Sequence, residues 1–264
     1  VVLSVVIAVY SVTRPGALEG VKYFLVPNLA HFSWMTVVTA MGQMFYSLSI
    51  AMGILVTFGS YMKKDVSIEE STEHVEIFDT LIAIMAGLMI IPAVFAFSGG
   101  DPDTLQAGPS LMFITIPKVF ASMGLGTVVG VLFFLLVLFA AVTSSIALTE
   151  SAVSTFQDEL GWNRRKSTVL VGVIMVALGT LSSLGYGPLA GVTVIGMQFL
   201  DFFDFLTNSV MMPIAAIATC LLISRVVGVD KIEAEVELDG QHFRRKKIFR
   251  FMIRWLCPIF AAII

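Results

Sequence analysis

The chain has 264 residues, a hydrophobic share of 57%, a charged share of 13% and a formal net charge of −3. A soluble domain carries about a quarter of its residues charged, so this composition, with its 21 Phe and 14 Met, excludes a water-soluble globule and makes lipid the solvent. Cys220 and Cys257 lie inside apolar runs and His31, His74 and His242 are scattered, which argues against a disulfide framework or a thiolate or imidazole metal site.

A helix that crosses the hydrocarbon core takes about 20 mostly apolar residues. The chain opens inside such a run, VVLSVVIAVY, and residues 1–12 read as the end of a span. Five full spans follow, at about 34–62, 77–98, 124–156, 167–185 and 197–227, and residues 248–264 read as the start of another. Both ends fall within apolar runs, so the sequence is expected to be a fragment of a longer protein. The segment 110–123 (SLMFITIPKVFASM) is apolar but short and interrupted by Pro117, which fits a loop helix or a re-entrant piece. The Gly-rich stretch 185–197 (GYGPLAGVTVIGM) reads as a surface loop that dips inward.

The first full span is unusual in its middle. GQMFYSLSIAMG (Gly42–Gly53) puts glycines and serines where lipid favours Leu or Ile. Close helix packing explains such residues, with Ser bonding back to its own backbone. A discontinuous helix explains them equally, its freed carbonyls and amides coordinating substrate and ions at the midplane; irregular backbone there is tolerable only where it lines a cavity. After it, Ser67-Ile68-Glu69-Glu70 has the form of a capping box, so the next helix is expected to begin near Ser67 and enter lipid near Ile77.

Asp79 is the one charged residue between Ile77 and Phe97. An intramembrane carboxylate is costly and by default faces the bundle interior beside a partner, although an interfacial Asp at the helix start is the plainer alternative. Carboxylate, hydroxyl and carbonyl oxygens are what a hard cation such as Na⁺ takes. In FAAVTSSIAL (Phe139–Leu148), Thr143 and Ser144 stand three and four residues from Ala140 and share a face with it. That face either offers one cation a carbonyl and two hydroxyls or carries hydroxyls satisfied by the preceding turn. Glu150 could bond neighbouring backbone or hydroxyls and is assigned no role. In LDFFDFL (Leu200–Leu206), Asp201 suits a helix N-terminus, and Asp204 is better placed to reach inward.

Orientation follows from the basic residues. With strictly alternating spans, Lys63, Lys64, Arg164, Arg165, Lys166, Arg225, Lys231, Arg244, Arg245, Lys246, Lys247, Arg250 and Arg254 fall on one side, against Arg14, Lys22 and Lys118 on the other. Thirteen of the sixteen basic residues thus mark the loops at about 62–76, 157–166 and 228–247 as cytoplasmic.

GQMFYSLSIAMG, then LVTFGSY (Leu55–Tyr61), FITIPKVF (Phe113–Phe120) and FAAVTSSIAL, in this order along essentially the whole chain, resemble the neurotransmitter:sodium symporter family and in particular its bacterial amino-acid members. The resemblance implies an all-α transmembrane, LeuT-type bundle of two inverted five-helix repeats. Residues 1–264 would be a single transmembrane domain fragment with the end of helix 5, helices 6–10 and the start of helix 11. The interrupted span would be helix 6, unwound around Tyr46–Ser49, the inner half aiming its positive dipole at the midplane.

The resemblance further implies site residues. Ser47 and Asp79 would serve a first sodium ion; Ala140, Thr143 and Ser144 a second. Each site would be completed by the first repeat, and the Asp79 carboxylate would make chloride unnecessary. Substrate-binding positions would be Tyr46, Ser47, Ser49, Met52, Ser144 and Leu148, with Gln43, Tyr46 and Asp204 at an outer gate. The apolar pocket of Ser49, Ala51, Met52 and Leu148 implies a hydrophobic or aromatic amino acid. The expected function is sodium-coupled symport of an amino acid into the cell across the plasma membrane, without enzymatic chemistry and without nucleic acid. The alternative is a non-transporting membrane receptor or sensor of the same fold. An intramembrane enzyme built on Asp79, Asp201 and Asp204 is disfavoured, because the topology sets Asp79 toward the opposite face from the other two.

Overall fold

The computed structural model describes residues 2–99, 108–122, 124–240 and 242–264, apart from the side chains of His31 and Asp239. Val1, Met123 and Gln241, which fall in segments assigned from the sequence, lie outside these residues. Among the described residues the regular elements are helical, with one isolated antiparallel bridge between Val194 and Met197 in the 185–197 loop. The chain divides into two compact units, Val1–Phe32 with Glu76–Ser144 and Ser33–Val75 with Ser145–Ile264.

In the first unit, α1 (Val2–Val12) and α2 (Ala17–Leu25) are bent by 116° at the turn that carries Pro15 and Gly16. α2 was not expected from the sequence, because Glu19 and Lys22 interrupt its apolar pattern. α5 (Ile68–Ser98) runs through both units and begins where the cap places it, with Ser67 Oγ accepting from the Glu70 amide at 3.3 Å. The short apolar helix is present, as a π-helical turn Leu111–Thr115 that continues into α6 (Ile116–Ser122). It is followed by α7 (Gly126–Leu160). Ile7, Met89, Val94, Ile116, Val119, Phe120 and Phe133 from α1, α5, α6 and α7 form the buried core of this unit. Gly20 lets α2 lie directly on α5, since a Cβ there would come 2.8 Å from the Pro92 Cα.

The second unit contains α3 (Trp34–Ser47), α4 (Ile54–Ser60) and α8 (Arg164–Leu184). A long helix, Phe199–Val227, follows. It comprises α9 (Phe199–Asp204), a π-helical turn Phe205–Met211, α10 (Met212–Leu221) and a second π-helical turn Leu222–Val227. Next come α11 (Val229–Val236), α12 (Lys246–Phe251), a π-helical turn Met252–Leu256 and α13 (Cys257–Ile263), which packs against α10.

Among the described residues four helices are long and apolar enough to cross a membrane: Ile68–Ser98, Gly126–Leu160, Arg164–Leu184 and Phe199–Val227. They correspond to four of the five expected full spans; the fifth, 34–62, is the broken pair α3 and α4. Two connections are shorter than expected. Arg164, Arg165 and Lys166 form the first turn of α8 rather than a loop, because Asn163 Oδ1 accepts from the Lys166 amide at 2.8 Å and starts the helix there. Likewise, part of the 228–247 connection folds as α11.

Candidate functional site

α3 begins on a reciprocal cap in which Ser33 Oγ accepts from the Thr36 amide and Thr36 Oγ1 accepts from the Ser33 amide. Its ladder ends with the Leu48 amide on the Met44 carbonyl at 3.0 Å and the Ile50 amide on the Phe45 carbonyl at 2.9 Å. Ser49, Ala51 and Gly53 then take φ of 54°, 62° and 78°. Left-handed backbone at the two L-residues costs about 1–3 kcal/mol each, and such conformations persist where the surroundings over-determine them, typically at functional sites. Among the described residues no backbone amide donates to the carbonyls of Ser49, Ile50, Ala51 or Met52. The ladder resumes with the Thr57 amide on the Gly53 carbonyl at 2.9 Å.

The discontinuity expected at Tyr46–Ser49 therefore lies at Leu48–Gly53, and Tyr46 and Ser47 close the last turn of α3. Both residues are compatible with a helix, whereas the first left-handed φ falls at Ser49. An apolar helix broken for six residues leaves backbone dipoles with no partner in the chain's own ladder. Those dipoles can solvate an ion or a zwitterion.

Each half of the break has its own partners within this unit. α3 packs against the π-helical turn Phe205–Met211. α4 is tied to the C-terminal part of α7: buried Thr57 Oγ1 donates to Ser151 Oγ at 3.5 Å and lies 3.3 Å from Ser154 Oγ. A Cβ on Gly53 would stand 2.8 Å from the same Ser151 Oγ, so a side chain there would have to displace that hydroxyl as well as take a left-handed φ. Just beyond α4, Tyr61 Oη donates to Glu150 Oε1 at 2.8 Å, and Arg164 Nη1 donates to the same oxygen at 2.9 Å. Arg164 Nη2 completes a two-pronged ion pair with Glu150 Oε2. Glu150, which had no role in the sequence reading, thus joins α4, α7 and α8. Its signal was that of Asp79, a lone carboxylate in an apolar helix that should have a partner.

Gln43, Tyr46 and Ser47 lie on α3, exposed, and Ser49 and Met52 lie half-buried in the break itself. Leu148 is on α7 and Asp204 at the end of α9, both exposed. Asp204 Oδ1 accepts from Asn208 Nδ2 at 2.6 Å, just where the helix widens into its π-helical turn. These seven belong to the second unit. Asp79, Ala140, Thr143 and Ser144 belong to the first. Asp79 is half-buried, about three turns inside α5 and so well past its first turn. Thr143 Oγ1 donates to the Ala140 carbonyl at 2.9 Å and the Phe139 carbonyl at 3.1 Å. The carbonyl and hydroxyl assigned to one cation are therefore neighbours, the hydroxyl bonded back into α7 as membrane-helix threonines are. Among the described residues no three His, Cys, Asp or Glu side chains cluster as a metal centre. The donors on offer are carbonyls, hydroxyls and single carboxylates, the oxygen set that suits a hard cation.

A model of the sodium:neurotransmitter symporter family matches residues 1–264. The chain belongs to that family. It is 30% identical over 264 residues to YhdH, an uncharacterized sodium-dependent transporter of Bacillus subtilis (strain 168), covering 99% of this chain and 57% of that protein. An uncharacterized sodium-dependent transporter of Haemophilus influenzae is also 30% identical, over 256 residues, covering 96% of this chain and 54% of that protein. Among solved structures, that of MhsT in complex with L-phenylalanine superposes with a TM-score of 0.84 at 35% identity. The match covers 99% of this chain and 58% of MhsT. The helices therefore follow the LeuT-type membrane fold, and the chain spans little more than half the length of the curated relatives it matches. As a member of this symporter family with several membrane-length apolar helices, it is a multi-pass membrane protein.

Proposed function

We propose that the protein containing this chain couples the inward sodium gradient to uptake of a hydrophobic or aromatic amino acid. The observation that carries the reading is the break at Leu48–Gly53, where left-handed φ at Ser49 and Ala51 accompanies carbonyls outside the helical ladder. Backbone of this kind in an apolar span suits an ammonium or carboxylate group and a sodium ion. Family membership supports sodium as the coupling ion, and the phenylalanine complex of the relative MhsT supports an apolar side chain on the substrate.

In this reading Tyr46, Ser47, Ser49, Met52, Ser144 and Leu148 line the substrate site. Ser47 and Asp79 ligate a first sodium ion; Ala140, Thr143 and Ser144 ligate a second. Gln43, Tyr46 and Asp204 form the outer gate, and the end of helix 5, helices 6–10 and the start of helix 11 of the fold run in order through the chain. The first repeat of the full-length protein supplies the remaining ligands. Asp79 brings a fixed negative charge beside the first ion and so removes a need for chloride. The loops at about 62–76, 157–166 and 228–247 face the cytoplasm, on the charge asymmetry of the chain. Coupling then requires that sodium and substrate together stabilise one access state over the other, since equal binding to both shifts nothing. The separate anchoring of α3 and α4 gives the break two bodies to move.

The test is binding of labelled L-phenylalanine to the purified full-length protein, with and without sodium, in competition with unlabelled amino acids. Sodium-dependent binding displaced by aromatic and large aliphatic amino acids is expected. Binding that ignores sodium, or displacement by charged amino acids alone, would overturn the assignment.

A further inference from the structure

The basic residues at the start of the last helix divide into two groups. Six of the eleven residues from Arg244 to Arg254 are Lys or Arg. Three are matched by carboxylates within the second unit. Arg245 pairs with Glu73 at 2.9 Å, and Lys246 pairs with Glu237 at 2.9 Å. Arg250 grips buried Glu233 through Nε at 2.9 Å and Nη2 at 2.7 Å, and reaches Asp230 at 2.8 Å. Arg244 donates its backbone amide to Glu69 at 2.9 Å, while its guanidinium pairs with no carboxylate among the described residues. Lys247 and Arg254 are exposed, and among the described residues neither pairs with a carboxylate. They stand seven residues apart, roughly 10 Å along the axis, Lys247 in α12 and Arg254 in the π-helical turn Met252–Leu256.

Apolar and aromatic residues are interleaved with Lys247 and Arg254 along the same helical stretch. Ile248, Phe251, Trp255 and Ile259 are all at least half exposed. Two unmatched cations set among exposed aromatics, at the end of an apolar helix, have the composition of a membrane-interface anchor. The rings settle at headgroup depth, and the long basic stems lie along apolar surface while their charges reach outward. Basic clusters beside a membrane helix attract anionic lipid, and a guanidinium presents a planar fork to a phosphodiester. A zwitterionic headgroup carries its own cation and leaves the surplus charge unmet. A soluble anion has no acyl chain for Phe251, Trp255 and Ile259.

We propose that Lys247, Arg254, Phe251 and Trp255 form a binding site for an anionic phospholipid, with Lys247 and Arg254 on the headgroup phosphate and the aromatic side chains along the acyl chains. The proposal rests on the membrane-spanning reading of these helices and is independent of what the protein transports. Trp255 supplies the probe: full-length protein is reconstituted with brominated phosphatidylglycerol or brominated phosphatidylcholine, and indole quenching is compared. The expected result is a preference for phosphatidylglycerol that disappears in Trp255→Phe. It should fall about fivefold per charge removed in Lys247→Gln and Arg254→Gln, and persist in the charge-conserving pair Lys247→Arg and Arg254→Lys. Equal quenching by the two lipids, or a preference surviving the double Gln variant, overturns the proposal. Quenching of Trp255 by neither lipid overturns it by a different route, because that refutes the lipid-facing placement itself.

Discussion

Replacing Gly53 by Ala tests the geometry of the break directly. Gly53 holds φ +78°, and an added Cβ would stand 2.8 Å from Ser151 Oγ. Left-handed backbone costs an L-residue about 1–2 kcal/mol. Displacing Ser151 Oγ from Thr57 adds roughly 0.5–1 kcal/mol, the net worth of an ordinary hydrogen bond. The sum, about 2 kcal/mol or slightly more, corresponds to roughly a thirtyfold loss in the population of the intact break. The assay is sodium-dependent phenylalanine affinity of the full-length protein, with its thermal midpoint measured in parallel. Ser151→Gly separates the two contributions, since it removes the collision and leaves the φ penalty. Gly53→Ala is therefore expected to stay impaired in the Ser151→Gly background, whereas Gly53→Asn, which tolerates left-handed φ, recovers there. Wild-type affinity and stability in Gly53→Ala, or full rescue of that variant by Ser151→Gly, would refute the reasoning.

Three other outcomes are expected. Asp79→Asn should weaken sodium affinity or create a chloride requirement in uptake; unchanged sodium dependence with continued chloride independence counts against the first ion site. Glu150→Gln should lower thermal stability slightly and make it less sensitive to salt, because it removes an exposed ion pair that salt screens; an unchanged salt response means that the Arg164 pair carries no stability. Glu233 has its carboxyl held below the usual range by the hydrogen bond from Arg250. A depressed folded-state value means that its contribution is complete above the ordinary glutamate range, about 4.3, and is lost as pH falls below it. Normalised hydrogen-exchange protection of Val229–Val236 should therefore drop on acidification below about pH 4 and be insensitive to pH in Glu233→Gln.

The long apolar runs made the membrane helices legible, because their length and composition are set by the bilayer rather than by tertiary contacts. Glycines and serines in an apolar span left a break and close packing equally open; the family resemblance made the break the expectation, and its position was not legible. Serine can stand in a helix or outside one, and nothing marks Ala51 as left-handed. Ser67 gave the start of α5 correctly, since a cap is local chemistry. α2 was missed because Glu19 and Lys22 hide a short helix that lies against α5 through Gly20. Arg164 was assigned to a loop because basic residues there fit an interface equally well. Its bond to Glu150 joins residues 14 apart in sequence, and the Tyr61 bond joins residues 89 apart, separations at which a single sequence carries no pairing signal. For Asp79, Thr143 and Ser144 the sequence supplied chemistry and helix face, while the ligand assignment came through the family resemblance.

The most direct measurement of the central claim is accumulation of labelled L-phenylalanine by proteoliposomes that contain the full-length protein, under an imposed inward sodium gradient. Concentrative uptake that collapses when sodium is equalised across the membrane is expected. Sodium-dependent binding with no accumulation would contradict the transporter assignment and leave a receptor with the same fold.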